Sequence, residues 1–379
     1  MKVPLSRPEI NRDDINAVVS VMRSPYLSTG PRVSQFECLF ARYIGARHAI
    51  AVSSGTAGLH LCVRSLNIGE GDEVITTPFS FVASSNCLLF ERSIPRFVDI
   101  LPSTLCIDPE KVESAITSKT KAILAVDVFG HPADWDALGH LARKYGLHLI
   151  EDACESLGSK YKGKLCGTFG DCAVFAFYPN KQMTTGEGGM IVTKREEIAR
   201  ISRSLRNQGR SEGDQWLVHE RLGYNYRLSD LSCALGISQL SRIDEILKKR
   251  SVVALYYNEI LSDFGEFVSV PLVQKEAEIS WFVYVVRLSD DFSQADRDEV
   301  LRILRAKGIG CSNYFPPIHV QPFYKTTFGY KPGDFPIAEA IASRTIALPF
   351  FSSLSRSNAE FVCGELREAI AKLKANRHE

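Results

Sequence analysis

From residue 48 to residue 193 the chain alternates short β-rich runs, most of them continuously apolar, with helical stretches, and no other feature limits its fold so tightly. The runs are HAIAVSS, DEVITTPFS, IPRFVDI, KAILAVDVFG, LHLIEDA, CAVFAFY and GMIVT. A strand with one wet face alternates apolar and polar residues. Runs that are apolar at nearly every position suit strands covered on both faces. Connections such as PADWDALGHLARKYG carry helical spacing. Together these predict an α/β fold with a large, mostly parallel seven-stranded sheet in α/β/α layers. Ligands in such sheets gather beyond the carboxyl ends of the strands, so the residues that close each run are the candidates for chemistry.

The flanking segments extend this plan. PEINRDDINAVVSVMRS reads as an opening helix with Ile15, Val18, Val19 and Met22 on one face, and RVSQFECLFARYIG as a second with Phe36, Leu39, Phe40 and Tyr43 at helical spacing. RNQGRSEGDQWLVHERLG has the polarity of a long surface loop. DLSCALGISQLSRIDEILKKRSVVALYYNEIL reads as one long helix capped by Ser229. Beyond it come a strand (ISWFVYVVRL), a helix (ADRDEVLRILRAKG) and a last helix whose Ser357 and Glu360 have capping-box spacing. The expected division is a large domain over 1–250 and a smaller C-terminal α+β domain over 251–379.

Composition removes several function classes. The formal net charge is +1, so no global field draws the chain to nucleic acid or an anionic membrane. No apolar run is long enough to span a bilayer, and MKVPLSRPEINRDD lacks the apolar core of a signal peptide. The ten cysteines never fall at C-x-x-C spacing and mostly lie in apolar segments. They are expected to be reduced and buried in a cytoplasmic protein, with no metal site.

Four features sit at strand ends, and each admits two readings. In SSGTAGL (53–59) a strand closes into a helix start. Ser54, Gly55 and Thr56 there make either a plain N-cap or an anion site built from free N–H groups. Asp152 closes LIEDA, as a capping or ion-paired carboxylate or as one aimed at a ligand. Phe81 in TTPFSFVAS packs in a core or covers a planar ligand. Lys181 follows AVFAFYPN and precedes a small-residue turn, QMTTGEGG, that permits a ligand's close approach. It is a surface lysine or an amine placed for chemistry. One cofactor uses all four at once. Pyridoxal 5'-phosphate (PLP) takes an amine for its aldehyde, an anion for its ring nitrogen and donors for its phosphate.

At this point the sequence resembles the DegT/StrS-type group of fold-type I PLP enzymes, mostly nucleotide-sugar aminotransferases. The resemblance runs through YLSTGPRVSQFE, VSSGTAGL, TPFSFVASSN, EDACESLG, GTFGD, FYPNKQMTTGEGGMIVT, RNQGR, LGYNYRLSDL and YFPPIHVQPFY. It implies that Lys181 holds PLP as a Schiff base and that Asp152 pairs with the pyridine nitrogen. It also implies that Gly55 and Thr56 bind the phosphate and that Phe81 stacks on the ring. Asn225 resembles an asparagine that reaches the phosphate from the neighbouring subunit, which implies a homodimer with shared active sites. His319 and Tyr314, with Pro317, match a segment that approaches the sugar, and His319 reads equally as a structural histidine. Thr29 and Glu187 belong to the implied substrate pocket. Arg203, Arg206 and Arg210 face either a pyrophosphate or solvent. Two positions depart from the family pattern. Ala176 stands where a phosphate-binding serine is common, its bond falling to Ser54, Tyr178 or water. Glu155 stands where glutamine or histidine is common near the PLP hydroxyl.

The implied reaction moves an amino group from L-glutamate, through pyridoxamine 5'-phosphate, to a 3- or 4-keto nucleotide-linked sugar. Lys181 is then covalent tether and acid–base, and a lysine rather than histidine here separates amino transfer from the related sugar 3-dehydratases. Two other readings stay open: an aminotransferase for a non-nucleotide cyclic ketone of cyclitol type, and a non-catalytic PLP-binding regulatory protein.

Overall fold

In the computed structural model, residues 2–211, 217–264 and 266–375 are described; part of the expected surface loop lies outside them. The strands among these residues are β1 (His48–Val52), β2 (Glu73–Thr76), β3 (Ile94–Phe97), β4 (Thr120–Val126), β5 (His148–Asp152), β6 (Lys160–Tyr161), β7 (Lys164–Leu165), β8 (Cys172–Ala176), β9 (Gly189–Thr193), β10 (Val268–Ser269), β11 (Ala277–Glu278), β12 (Tyr284–Leu288) and β13 (Thr345–Leu348). All seven apolar runs enter one seven-stranded sheet, ordered β1-β9-β8-β5-β4-β2-β3. Its pairs are parallel except that β9 runs antiparallel to both β1 and β8.

The continuous hydrophobicity has the expected cause. Successive side chains of a strand point to opposite faces, and here both faces are covered except at the edge strand β3, whose Ile94 and Arg96 are exposed. Ile50, Val52, Val174 and Ile191 join one core with Leu59, Leu61 and Val63 of the helix Gly55–Ser65. Ala49, Ala51, Phe175, Met190 and Val192 join another with Phe36, Phe40 and Ile44 of the helix Pro31–Ile44. A separate core holds the antiparallel sheet β10-β12-β13 under the helices Gln294–Ala306 and Arg356–Ala375. Val3 packs into this last core and bridges to Ile309. Within the helix Ile243–Leu261, Ile243 belongs to the first body of the chain and Val253 onward to the second.

Three local expectations are corrected. The long helix after residue 229 is two, Asp230–Ser241 and Ile243–Leu261, parted at Arg242 with φ −123° and ψ 20°. The Arg242 guanidinium leaves solvent to bind Asp14 Oδ2 at 2.7 Å and Glu9 Oε1 at 2.9 Å. The same anchor turns the opening helix, Arg12–Met22. Its buried residues are Asp14 and Val21, whereas Ile15 and Met22 are 56% and 65% exposed. Ser229 does cap its helix, accepting from the Ser232 N–H. The last helix starts at Arg356 with Ser355 Oγ accepting the Asn358 N–H, so Ser357 lies inside it and Glu360 pairs with Arg356 instead.

Candidate active site

Strand ends, a helix start and the chain after β12 enclose a cavity of about 670 Å³. Its lining includes Ser54, Gly55, Thr56, Phe81, Asp152, Glu155, Lys181, Glu187 and Tyr314, so nine of the expected site residues converge. Ser54 ends the turn after β1 as an N-cap, its Oγ accepting the Ala57 N–H at 3.0 Å. The following N–H groups have no partner inside their helix, and the positive end of the helix dipole faces the same way. A Cβ on Gly55 would lie 2.8 Å from Ala176 Cβ and 3.0 Å from Cys154 Sγ. The helix start therefore packs onto the end of β8 at a spacing only glycine permits. The turn after Lys181 reaches the cavity through Glu187 and Gly188. Its last glycine serves packing, since a Cβ on Gly189 would meet the Ser54 carbonyl oxygen at 2.6 Å.

Asp152 closes β5 and is 3% exposed. Its Oδ2 accepts from Ser84 Oγ at 2.7 Å and its Oδ1 from the Cys154 N–H at 3.2 Å. Ser84 is in turn bonded to Ser80 Oγ at 2.8 Å. The carboxylate is thus aimed by two hydrogen-bond donors. Lys181 sits in the turn after β8, its N–H donating to the Tyr178 carbonyl at 2.9 Å. Its Nζ lies 3.7 Å from Glu155 Oε1 and 3.9 Å from the centre of the Phe282 ring. The amine thus sits between a carboxylate and an aromatic face. Burial pushes the Glu155 carboxyl up, against the pull of the Lys181 ammonium and the Phe129 N–H. Phe81, 61% exposed, stands at the cavity mouth, as does exposed Glu187.

Other candidates lie elsewhere. His319 is fully buried, with Nε2 2.9 Å from Glu339 Oε1 and its ring edge on Phe335. It does not line the cavity, and the reading as a sugar contact gives way to the structural one. Pro316 lines the cavity, where Pro317 was expected. Thr29 lines a different cavity, of about 340 Å³, together with Arg203, Arg206 and Arg210. Arg206 there is bound to Glu37 and the Ala51 carbonyl. Asn225 is exposed, bridges to Asn207 and stays outside its own chain's 670 Å³ cavity.

Sequence reasoning missed Ser84, Phe282 and Asn180, whose buried Oδ1 has no partner in the cavity wall. Ser84 is within reach of local pattern, since it lies three residues past Phe81 on the same segment. Phe282 arrives from the far unit, and no local pattern announces it. Behind the site, ligand atoms of Asp127, Glu151 and Cys166 lie within 4.8 Å of one another. Donors already occupy the carboxylates: Ala133 N–H, Trp135 Nε1 and Ser156 Oγ on Asp127, and the Gly167 and Phe169 N–H groups on Glu151.

The arrangement meets the needs of PLP on this structure's own terms. An amine, an aimed buried carboxylate and a glycine-tight helix start share one cavity. The comparisons agree. The model of the DegT/DnrJ/EryC1/StrS aminotransferase family matches residues 8–367. GDP-perosamine synthase of Caulobacter vibrioides is 35% identical over 370 residues, covering 97% of this chain and 98% of that one. Helicobacter pylori PseC, an aminotransferase in pseudoaminic acid biosynthesis, superimposes with TM-score 0.92 at 29% identity, over 98% of this chain and 99% of its own. Spr1654 from Streptococcus pneumoniae, solved in PLP and pyridoxamine-phosphate forms, gives TM-scores of 0.92 and 0.93 at 26% identity, with 98% and 99% covered.

Proposed function

We propose, from the premise that this chain belongs to the DegT/DnrJ/EryC1/StrS family of PLP-dependent sugar aminotransferases, that it moves the amino group of L-glutamate to a keto carbon of a nucleotide-linked sugar. The product is an amino sugar for a surface polysaccharide or a natural-product glycan. The observation that carries this reading is the sharing of one cavity by Lys181, Asp152 and the helix start at Ser54. Bound PLP supplies an electrophilic aldehyde and an electron-accepting ring. Lys181 would supply the amine that tethers the cofactor through that aldehyde. The Lys181 amine, within the same cavity, would also hold or move a proton at the substrate carbon. Asp152, fixed by Ser84 and the Cys154 N–H, keeps a negative charge for a protonated ring nitrogen. Ser54, Gly55 and Thr56 offer donors to the phosphate, and Phe81 covers the ring. Tyr314 and Glu187 face the substrate from the cavity wall.

Asn225 and Thr29 lie outside this chain's own cavity, which fits a homodimer in which each serves the other chain's site. No helix of the described residues is long and apolar enough to cross a membrane. All ten cysteines are free thiols, which fits the reducing cytoplasm. The test is borohydride reduction and peptide mapping of the PLP-loaded protein, followed by L-glutamate and a panel of nucleotide-linked keto sugars. The reduced adduct is expected on Lys181, with loss of the visible band on adding glutamate and its return with one of the sugars. Lys181→Ala should abolish both changes. An adduct elsewhere, or an unchanged band with glutamate, overturns the assignment.

A further inference from the structure

Glu155 lines the cavity beside Lys181, and the structure builds a holder around its carboxylate. Its Oε2 accepts the Phe129 N–H at 2.8 Å. Phe129 takes φ 56° and ψ 19°, a left-handed conformation unfavourable for a bulky residue. The Glu155 backbone carbonyl accepts from Gln182 Nε2 at 2.6 Å, and that amide also donates to Ser280 Oγ. The carboxylate is 5% exposed, and its other oxygen is left toward Lys181 Nζ, 3.7 Å away.

We propose that Glu155 is the counter-ion of the Lys181 nitrogen once that nitrogen is part of a Schiff base, holding it in the protonated form. This deepens the reading of Lys181 given above and rests on it. Around the pair stand Asp152, Cys154, Tyr178, Glu187 and Tyr314 on the cavity, and Cys106 on the far side of Glu155. Burial pushes the Cys154, Cys106 and Tyr314 protons toward retention, which leaves those groups neutral. Glu187 is exposed and screened by water. Asp152 is committed to Ser84 and the Cys154 N–H. Glu155 is therefore the anion that a glutamine would remove. A protonated C=N carbon is the more electrophilic form, so the carboxylate widens upward the pH range in which the site can take an incoming amine.

The test reads a spectrum, not turnover. Wild type, Glu155→Gln and Glu155→Asp are loaded with PLP and their visible absorbance is titrated with base. Attraction between unit charges at 3.7 Å corresponds to about one pH unit in a water-like dielectric and more when buried. The Glu155→Gln band should convert at a pH lower by about one unit or more, with Glu155→Asp between. Glutamine keeps an acceptor for the Phe129 N–H, which favours folding. Should it fail to fold, Glu155→Asp decides alone, a lower midpoint supporting the proposal and an unchanged one overturning it. A Glu155→Gln midpoint equal to or above wild type overturns it while the lysine assignment survives. A wild-type protein with no borohydride-trapped adduct on Lys181 overturns both.

Discussion

Ser84→Ala isolates what aims the carboxylate of Asp152. Ser84 and Asp152 are 2% and 3% exposed, and the bond between them is 2.7 Å long. A hydrogen bond to a buried charge contributes about 1.5–3 kcal/mol net. Removing the hydroxyl leaves Oδ2 without that donor, and the small cavity does not restore it. Unfolding entropy of about 2.1 cal/mol/K per residue over 379 residues is about 0.8 kcal/mol/K. The midpoint of thermal unfolding should therefore fall by about 2–4 °C in the PLP-free protein.

The control is the same substitution in an Asp152→Asn background. There the hydroxyl donates to a neutral amide oxygen, a bond about half as strong, so Ser84→Ala should lower the midpoint roughly half as far. Differential scanning calorimetry of the four proteins measures both quantities. Equal losses in the two backgrounds would show that the hydroxyl acts through packing alone and refute the reasoning. So would no loss in either.

Gly55→Ala places a Cβ 2.8 Å from Ala176 Cβ; overpacking of this kind costs about 1–3 kcal/mol, and the displaced helix start should release PLP faster on dialysis, wild-type retention refuting the tight-approach argument. Burial raises the Asp127 carboxyl to about 6 from 3.8, against the Ala133 N–H and the Ser156 hydroxyl. The folded state thus holds a proton that the unfolded chain has released, so stability from this group is full below about pH 4 and is lost as pH rises through about 6. Asp127→Asn removes that dependence, and its melting temperature relative to wild type should climb across this window; a flat difference would count against the buried charge.

Much of the site was legible because its parts are local. A helix start announces itself through Ser54 and Gly55, and a charged residue ending an apolar run, such as Asp152, stands out against its neighbours. The resemblance to a known family supplied the roles. The opening helix was misread for the opposite reason: Ile15 and Met22 have helical spacing, yet the helix is turned by Asp14 binding Gln239 and Arg242, residues more than two hundred positions away. The break at Arg242 has no glycine or proline to signal it.

What the chain's order of residues determined alone was the set of seven strands, the burial of most of them on both faces and the end of the sheet where ligands sit, because periodicity and capping act within one element. The folded structure decided which side chains meet there. It brought Phe282 over Lys181, set Ser84 on Asp152, turned Glu155 toward the amine and took His319 out of the site. Those pairings join segments far apart in the chain, and their energy exists only once the elements have packed.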